Sequence, residues 1–293
     1  MQAILNKRYK VNALRHKLIL TKEHGSWAVL AVPVLTGALA AENLKVTIIP
    51  LVLSLFFLFM SYTPAEIILQ EYLKQQRLRK SGTKPLRLSG GKLSDAKYWF
   101  SIFFVTAILM GLISVVVLEK LMLLAFALAA ITLFIIDLLI VIKAKKNFLS
   151  DFLAMTGLTL SAPAVIYYLD NSFSSKSLYL WLFNIIFFGS SAAYVHMKMK
   201  FAALKKKDLS LKEKLFSGRL NLLYHIIVIS LVILFIIEYP LRQLAIASVM
   251  PAFIHAIAGT FILPEKTSFK KIGIIYVIYS VIFTIFTALA FRQ

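Results

Sequence analysis

The sequence predicts an all-α integral membrane protein, a polytopic bundle of about nine transmembrane helices. Sixty per cent of the 293 residues are hydrophobic, and the mean hydropathy of +0.82 leaves too few polar residues to cover a water-soluble surface. Only 16% of residues are charged, and most of them lie between apolar runs long enough to cross a bilayer. The chain has no cysteine, which excludes disulfides and thiolate metal sites.

Apolar runs of about 20 residues place the predicted spans along the chain. In chain order they lie near 26–41, 46–69, 98–117, 121–142, 148–169, 178–197, 221–238, 241–263 and 272–291. Most connections are short, but two long cytoplasmic loops are expected at 70–97 and 198–220. We therefore expect a basic N-terminal segment, 1–22, followed by a single membrane domain, 23–293.

The basic residues divide unequally between the two ends of the predicted spans. Of the 33 lysine and arginine residues, 28 lie in the N-terminal segment and in every second connection, and five lie at the opposite ends. The positive-inside rule therefore predicts a multi-pass protein with a cytoplasmic N-terminus and an outer C-terminus. Loops that face anionic lipid explain the net charge of +20, so the expected partner is the bilayer and not nucleic acid.

Carboxylates inside predicted spans are candidate functional groups, because burying them in lipid is costly. Glu66 shares a helical stripe with Gln70 and Lys74, which fits either the polar wall of a cavity or an ion pair near the helix end. Asp137 lies about 9 Å below Lys143 along its helix, so its side chain must face protein or water. A buried ion pair with a neighbouring helix is the simpler explanation for Asp137.

Histidines also lie in or beside the predicted spans. These are His24, His196, His225 and His255. No pair of His, Asp or Glu has the spacing of a known metal motif, so no metal or cofactor is predicted. A hydrogen bond to a neighbouring helix is the simplest role for each ring, and haem held between two histidines stays an alternative.

The stretch from Arg77 to Lys92 is the most distinctive of the polar segments. Arg77, Lys84 and Arg87 supply cations that could bind a phosphate group, and the Ser-Gly pairs nearby supply free backbone N–H groups. A basic loop that only fixes the membrane orientation is the alternative, and the composition alone favours that alternative.

The segment Lys22-Glu-His-Gly-Ser-Trp-Ala-Val-Leu-Ala-Val-Pro-Val-Leu-Thr-Gly37 resembles the opening signature of the YwiC-like family, bacterial membrane proteins of no established activity. A more distant resemblance is to the UbiA superfamily of intramembrane prenyltransferases. It rests on Pro33–Ala40, which is similar to the first helix of the dihydroxynaphthoate branch, and on Lys84-Pro-Leu-Arg87. This resemblance implies a UbiA-like fold with a cavity that opens to the cytoplasm.

The metal-binding motifs of that superfamily are degenerate in this chain. Those enzymes hold a prenyl diphosphate through Mg²⁺ bound by two Asp-rich motifs. At the first location, 61–74, the acidic residues here are Glu66 and Glu71; at the second, 193–208, His196, Lys198 and Lys200 stand where carboxylates are expected. The resemblance therefore disfavours Mg²⁺-dependent prenyl transfer, and whether the protein is an enzyme stays open.

The leading hypothesis is a membrane protein that binds an amphiphilic small molecule, anionic or isoprenoid, in a cytoplasm-facing cavity. Cations would hold the head group, while Glu66 and the histidines would orient it. The expected ligand-binding residues are His24, Trp27, Glu66, Arg77, Lys84, Arg87, Asp137, His196 and Lys200. No catalytic residue is assigned. A transporter, an accessory subunit of a membrane complex and a divergent prenyltransferase are the alternatives.

Overall fold

The computed structural model of the protein describes residues 16–21, 24–82, 90–143, 147–204, 209–238, 243–262 and 268–292. Every regular element among them is helical. The α-helices are α1 (His24–Ala40), α2 (Ile49–Lys80), α3 (Gly90–Leu112), α4 (Leu123–Lys143), α5 (Phe148–Thr159), α6 (Ser161–Asp170), α7 (Ser175–Leu204), α8 (Leu211–Glu238), α9 (Gln243–Phe261) and α10 (Phe269–Phe291). A short 3₁₀ turn, Val46–Ile48, precedes α2, and a π-helical turn, Ile113–Val117, extends α3.

Eight helical spans in the described part of the chain are long and apolar enough to cross a membrane. The predicted all-α polytopic bundle is thus confirmed. The helix over Gly25–Ala40 is apolar but shorter than these eight. Helices α5 and α6 together form one span, Phe148–Asp170. They are separated at Leu160 because Pro163 has no N–H to bond the Thr159 carbonyl, so the α-helical ladder is interrupted there.

Helix covers much of the two segments that were expected to be long loops. Within 70–97, α2 continues to Lys80 and α3 begins at Gly90; within 198–220, α7 continues to Leu204 and α8 begins at Leu211. The difference has a physical reason, since the hydropathy pattern marks only the apolar part of a helix. Glu, Gln, Lys, Arg and Leu are strong helix formers and extend these helices past their apolar sections.

The chain divides into two compact units, of which unit 1 comprises Met1–Glu23 and Ile49–Ser114. Its helices α2 and α3 pack together, and the Ser54 hydroxyl donates a 2.8 Å hydrogen bond to the Ala107 carbonyl between them. Residues 16–21 lie against this pair. The His16 ring stacks on Tyr98 with centroids 4.3 Å apart, and its Nδ1 is 2.9 Å from Asp95 Oδ1. The predicted division at residue 22 stays a prediction.

Unit 2 comprises His24–Ile48 and Val115–Gln293, and α7 is its central helix. Helix α7 is the most buried span and contacts α1, α5, α6, α8, α9 and α10. Aromatic rings fill the interior beside it, and Phe187 stacks on Phe283 of α10 with centroids 4.4 Å apart. Glycines allow close helix approach, because a Cβ at Gly37 would lie 2.6 Å from the Ala162 carbonyl oxygen and one at Gly259 only 2.4 Å from the Tyr194 ring.

Within unit 2, the C-terminal ends of some helices lie beside the N-terminal ends of others, as the predicted topology requires. The basic end is the end of unit 2 at which α4, α7 and α9 finish and α5, α8 and α10 begin. There Lys198 of α7 donates to the Gly259 carbonyl of α9. At the opposite end the Lys120 Nζ atom donates to Asn171 Oδ1 at 2.8 Å, and the Glu42 N–H donates to Asp170 Oδ1 at 3.0 Å. These contacts hold the helix ends at matching levels.

Candidate functional site

Six of the nine predicted ligand-binding residues lie in α1, in unit 1 or outside the described residues. Lys84 and Arg87 are outside the described residues, and His24 begins α1, without a description of its side chain. In unit 1, Glu66 accepts a 3.0 Å hydrogen bond from Gln70 Nε2, so these two residues share a helix face as expected. Arg77 is exposed in the last turn of α2. Trp27, a sixth predicted residue, is half-buried on α1 of unit 2.

Asp137 and His196 lie on either side of the first turn of α5. The buried Asp137 accepts a 2.5 Å hydrogen bond at Oδ1 from the Ser150 hydroxyl. Asp151, which follows Ser150 in α5, has its Oδ2 atom 2.7 Å from Nε2 of His196 on α7. Asn147 caps this helix by accepting from the Ser150 N–H at 3.0 Å. The structure thus brings two of the predicted residues together through adjacent residues of α5, where a helix N-terminus favours carboxylates.

The contact with Asp151 fixes the orientation of the His196 ring. An ionised carboxylate only accepts hydrogen bonds, so Nε2 carries the hydrogen and donates it to Asp151. Phe148 packs against the same ring at 89°, with centroids 5.9 Å apart, and both members of the His–Asp pair are partly exposed. The free electron pair of a neutral His196 therefore resides on Nδ1, where the ring can accept a proton or a hydrogen bond.

A groove opens at the basic end between the end of α7 and the beginning of α8. This basic groove has a volume of about 430 Å³ and is lined by Lys200, Leu204, Lys212, Glu213, Phe216 and Ser217. Lys200 follows His196 by four residues and therefore lies one turn further along the same face of α7. The lining combines two ammonium groups with exposed apolar side chains.

A capping box orders the helix that carries most of the groove. The Ser210 hydroxyl accepts from the Glu213 N–H at 3.3 Å, while a Glu213 carboxylate oxygen accepts from the Ser210 N–H at 2.9 Å. Glu213 therefore serves the N-terminus of α8, and Lys212 projects from the same ordered turn. The arrangement can bind a molecule that has an anionic head and an apolar chain.

A second group of polar side chains lies inside unit 2 and was not predicted as a site. Ser190, Tyr194 and Lys198 follow one another at intervals of four on α7, a stripe of about 12 Å. Lys198 is 2% exposed, and its Nζ donates to the carbonyls of Gly259 at 2.7 Å and Ile262 at 3.2 Å. The ammonium also lies 5.2 Å from the centroid of the Tyr194 ring. A cation here complements the C-terminal dipole of α9.

Two histidines join this stripe from neighbouring helices. His225 of α8 places Nε2 2.7 Å from the Ser190 hydroxyl and Nδ1 2.7 Å from the Asn221 carbonyl. His255 of α9 lies edge-on to Tyr194, with ring centroids 5.0 Å apart, and is also flanked by Tyr276 and Tyr279. The polar residues that meet around this stripe are called the interior cluster. Its members are Ser190, Tyr194, Lys198, Asn221, His225, His255, Tyr276 and Tyr279. The four-residue spacing on α7 is the sequence signal that could have indicated it.

Comparisons with known proteins identify one match. A family model described as YwiC-like protein matches residues 20–166, just over half of the chain and inclusive of the segment from Lys22 to Gly37. No curated protein and no solved structure matches the chain. Among the described residues, no group of three His, Asp or Glu side chains is placed to hold a metal ion. The distant resemblance to the UbiA superfamily stays a prediction.

Proposed function

Because the chain belongs to the YwiC-like family and crosses the membrane several times, we propose that it binds an anionic amphiphile in the basic groove. The protein is placed in the cytoplasmic membrane of a bacterium, with the basic end of unit 2 in the cytoplasm. The charge distribution supports this orientation, since 28 of the 33 basic residues lie in the N-terminal segment and in every second predicted connection. The C-terminus then lies outside.

The observation that carries the proposal is the composition of the groove lining. Lys200 and Lys212 contribute ammonium groups to the lining, and the side chains of Leu204 and Phe216 contribute its apolar part. An apolar molecule alone would not need the lysines, and a free anion would not need the exposed phenyl ring. A single molecule with both parts complements the lysines and the apolar side chains together, while Glu213 is engaged in the helix cap.

The head group that fits best is a phosphate or diphosphate. Lysine ammonium groups bind such anions as point charges, without the planar geometry that arginine imposes. His196, one turn from Lys200 and oriented by Asp151, would supply a further polar contact to the head group. An isoprenoid or an acyl chain suits the apolar walls, so the substrate class is a lipid phosphate or a prenyl diphosphate.

The test compares charged and neutral ligands of the same chain length. Lysophosphatidic acid, a prenyl diphosphate with and without Mg²⁺, and a neutral monoacylglycerol are titrated into purified protein in nonionic detergent, and binding is followed by thermal stabilisation and native mass spectrometry. We expect the phosphate ligands to bind and the neutral one to bind much more weakly. Replacing both groove lysines, in Lys200→Gln with Lys212→Gln, removes about 1 kcal/mol per lysine and weakens binding about 30-fold.

A matched control separates the groove from the general positive charge of this end. Lys270 and Lys271 are exposed at the beginning of α10, also at the basic end but outside the groove. The double variant Lys270→Gln with Lys271→Gln has the same net charge as the groove variant, and its affinity should stay near that of the wild type. Equal losses in the two double variants, or equal binding of the charged and neutral ligands, would refute the proposal.

A further inference from the structure

Buried polar atoms without partners concentrate in the interior cluster. Among the described residues, seven buried side-chain nitrogen or oxygen atoms have no hydrogen-bond partner, and three of them are Asn221 Oδ1, His255 Nε2 and the Tyr276 hydroxyl. Asn221 is completely buried and Tyr276 is 9% exposed. Buried polar groups are nearly always bonded, and a membrane offers no outside water to supply the bond. The rings of His255 and Tyr276 contact each other edge-on, with centroids 6.1 Å apart, so one partner can serve both of their unbonded atoms.

The direction of the neighbouring hydrogen bonds leaves room for such a partner. The Asn221 carbonyl can only accept, so Nδ1 of His225 carries the hydrogen, and Nε2 of a neutral ring accepts from the Ser190 hydroxyl. The oxygen of Ser190 then has electron pairs that can accept. Tyr276 faces Ser190 within hydrogen-bonding reach, yet its hydroxyl forms no bond of full hydrogen-bond geometry.

The cluster lies near the basic end of unit 2. His255 precedes Ile262, the residue after the end of α9, by seven residues, which is about 10 Å along the helix direction. Ile262 is exposed, and Lys198 already bonds its carbonyl. The charged and titratable groups that face His255 are Lys198 and Tyr194 from α7, and Tyr276 and Tyr279 from α10. None of these four is a carboxylate.

We propose that the interior cluster is a hydrated proton-exchange site that opens to the basic end of unit 2 and is distinct from the basic groove. Water enters at the level of Lys198 and contacts His255 Nε2 and the Tyr276 hydroxyl. A proton passes by exchange along hydroxyl groups and water, each group accepting one hydrogen as it gives up another. The tyrosine and serine hydroxyls extend this exchange to His225, and no oxidation or reduction is involved.

The test is solid-state NMR of the wild-type protein in bilayers, with measurement of magnetisation transfer from water protons to histidine ring nitrogens. The five histidines precede five different residues, so each can be labelled as a unique residue pair, His255 with Ala256 and His225 with Ile226. We expect transfer from water to the His255 ring within milliseconds. Transfer to His225 should be at least several-fold slower, because both of its ring nitrogens are bonded to protein.

The difference in transfer rate between His255 and His225 tests the proposal in the wild-type protein, so no variant that could misfold is needed. Equal and slow transfer to both rings would mean that the cluster is dry packing, and the proposal would be wrong. The result is also independent of the basic groove, because neither ring lines it. As an assignment control, His255→Phe keeps an aromatic ring beside Tyr194 and should remove the fast component, whereas His16→Phe in unit 1 should leave it unchanged.

Discussion

Replacement of Lys198 by methionine should destabilise the protein by about 2–4 kcal/mol. Methionine keeps the length and packing of the side chain but removes the ammonium that donates to Gly259 and Ile262. The Gly259 carbonyl is left buried without this donor, which costs about 1–3 kcal/mol. Loss of a cation at the C-terminus of α9 adds up to about 2 kcal/mol in a buried geometry. The Ile262 carbonyl contributes less, because that residue is exposed and water can replace the bond.

The measurement is the free energy of unfolding in mixed micelles as the SDS fraction is raised, with Lys214→Met as the matched control. Lys214 donates a single 3.1 Å bond to the Phe261 carbonyl at an exposed position, so its loss should cost no more than about 1 kcal/mol. Burial of an ammonium group also carries a desolvation cost that methionine relieves. If Lys198→Met is as stable as the wild type or more stable, that cost outweighs the bonds and the reasoning is refuted.

Two further predictions concern a close helix contact and a buried hydrogen bond in unit 2. Gly259→Ala should destabilise the protein by about 1–3 kcal/mol, because its methyl would lie 2.4 Å from the Tyr194 ring. The control Gly273→Ala, whose methyl would have nothing within 4 Å, should be neutral or stabilising by up to about 1 kcal/mol. Equal thermal stability of the two variants would contradict this prediction. Asp137→Ala should cost about 1–3 kcal/mol because Ser150 loses its buried acceptor, and Thr132→Ala on the same helix should change stability by less than about 0.5 kcal/mol. SDS unfolding of both α4 variants measures this difference, and an Asp137→Ala protein as stable as Thr132→Ala would show that the bond contributes nothing.

The membrane-spanning plan was predictable because lipid imposes a strong and local constraint. Every buried backbone group must be bonded within its own segment, so an apolar run of sufficient length becomes a helix. The continuation of α2 to Lys80 was not predictable from hydropathy, since the residues that extend it are polar. The helix propensity of these polar residues indicates the extension, so hydropathy and helix propensity together predict the longer helices.

The partners of individual polar residues depend on how helices face one another, and the sequence does not contain that information locally. Asp137 was expected to form an ion pair with another helix; the structure shows a bond to Ser150 of α5, and the ion pair stays a prediction. Lys198 was interpreted as the replacement of a metal-binding carboxylate, yet it caps α9 from inside the bundle. Lys200, two residues later, lines the basic groove, and its contact with a ligand stays a prediction.

Accessibility of a single cysteine in the basic groove tests the central claim most directly. The chain has no cysteine, so Ser217→Cys introduces a unique thiol in the groove and Ser174→Cys a unique thiol at the opposite end. We predict that a membrane-impermeant maleimide labels Ser217→Cys in inverted vesicles only, that lysophosphatidic acid protects it, and that Ser174→Cys is labelled only in right-side-out vesicles without protection. Labelling of Ser217→Cys from the outside, or labelling that the lipid phosphate does not slow, would contradict the proposed function.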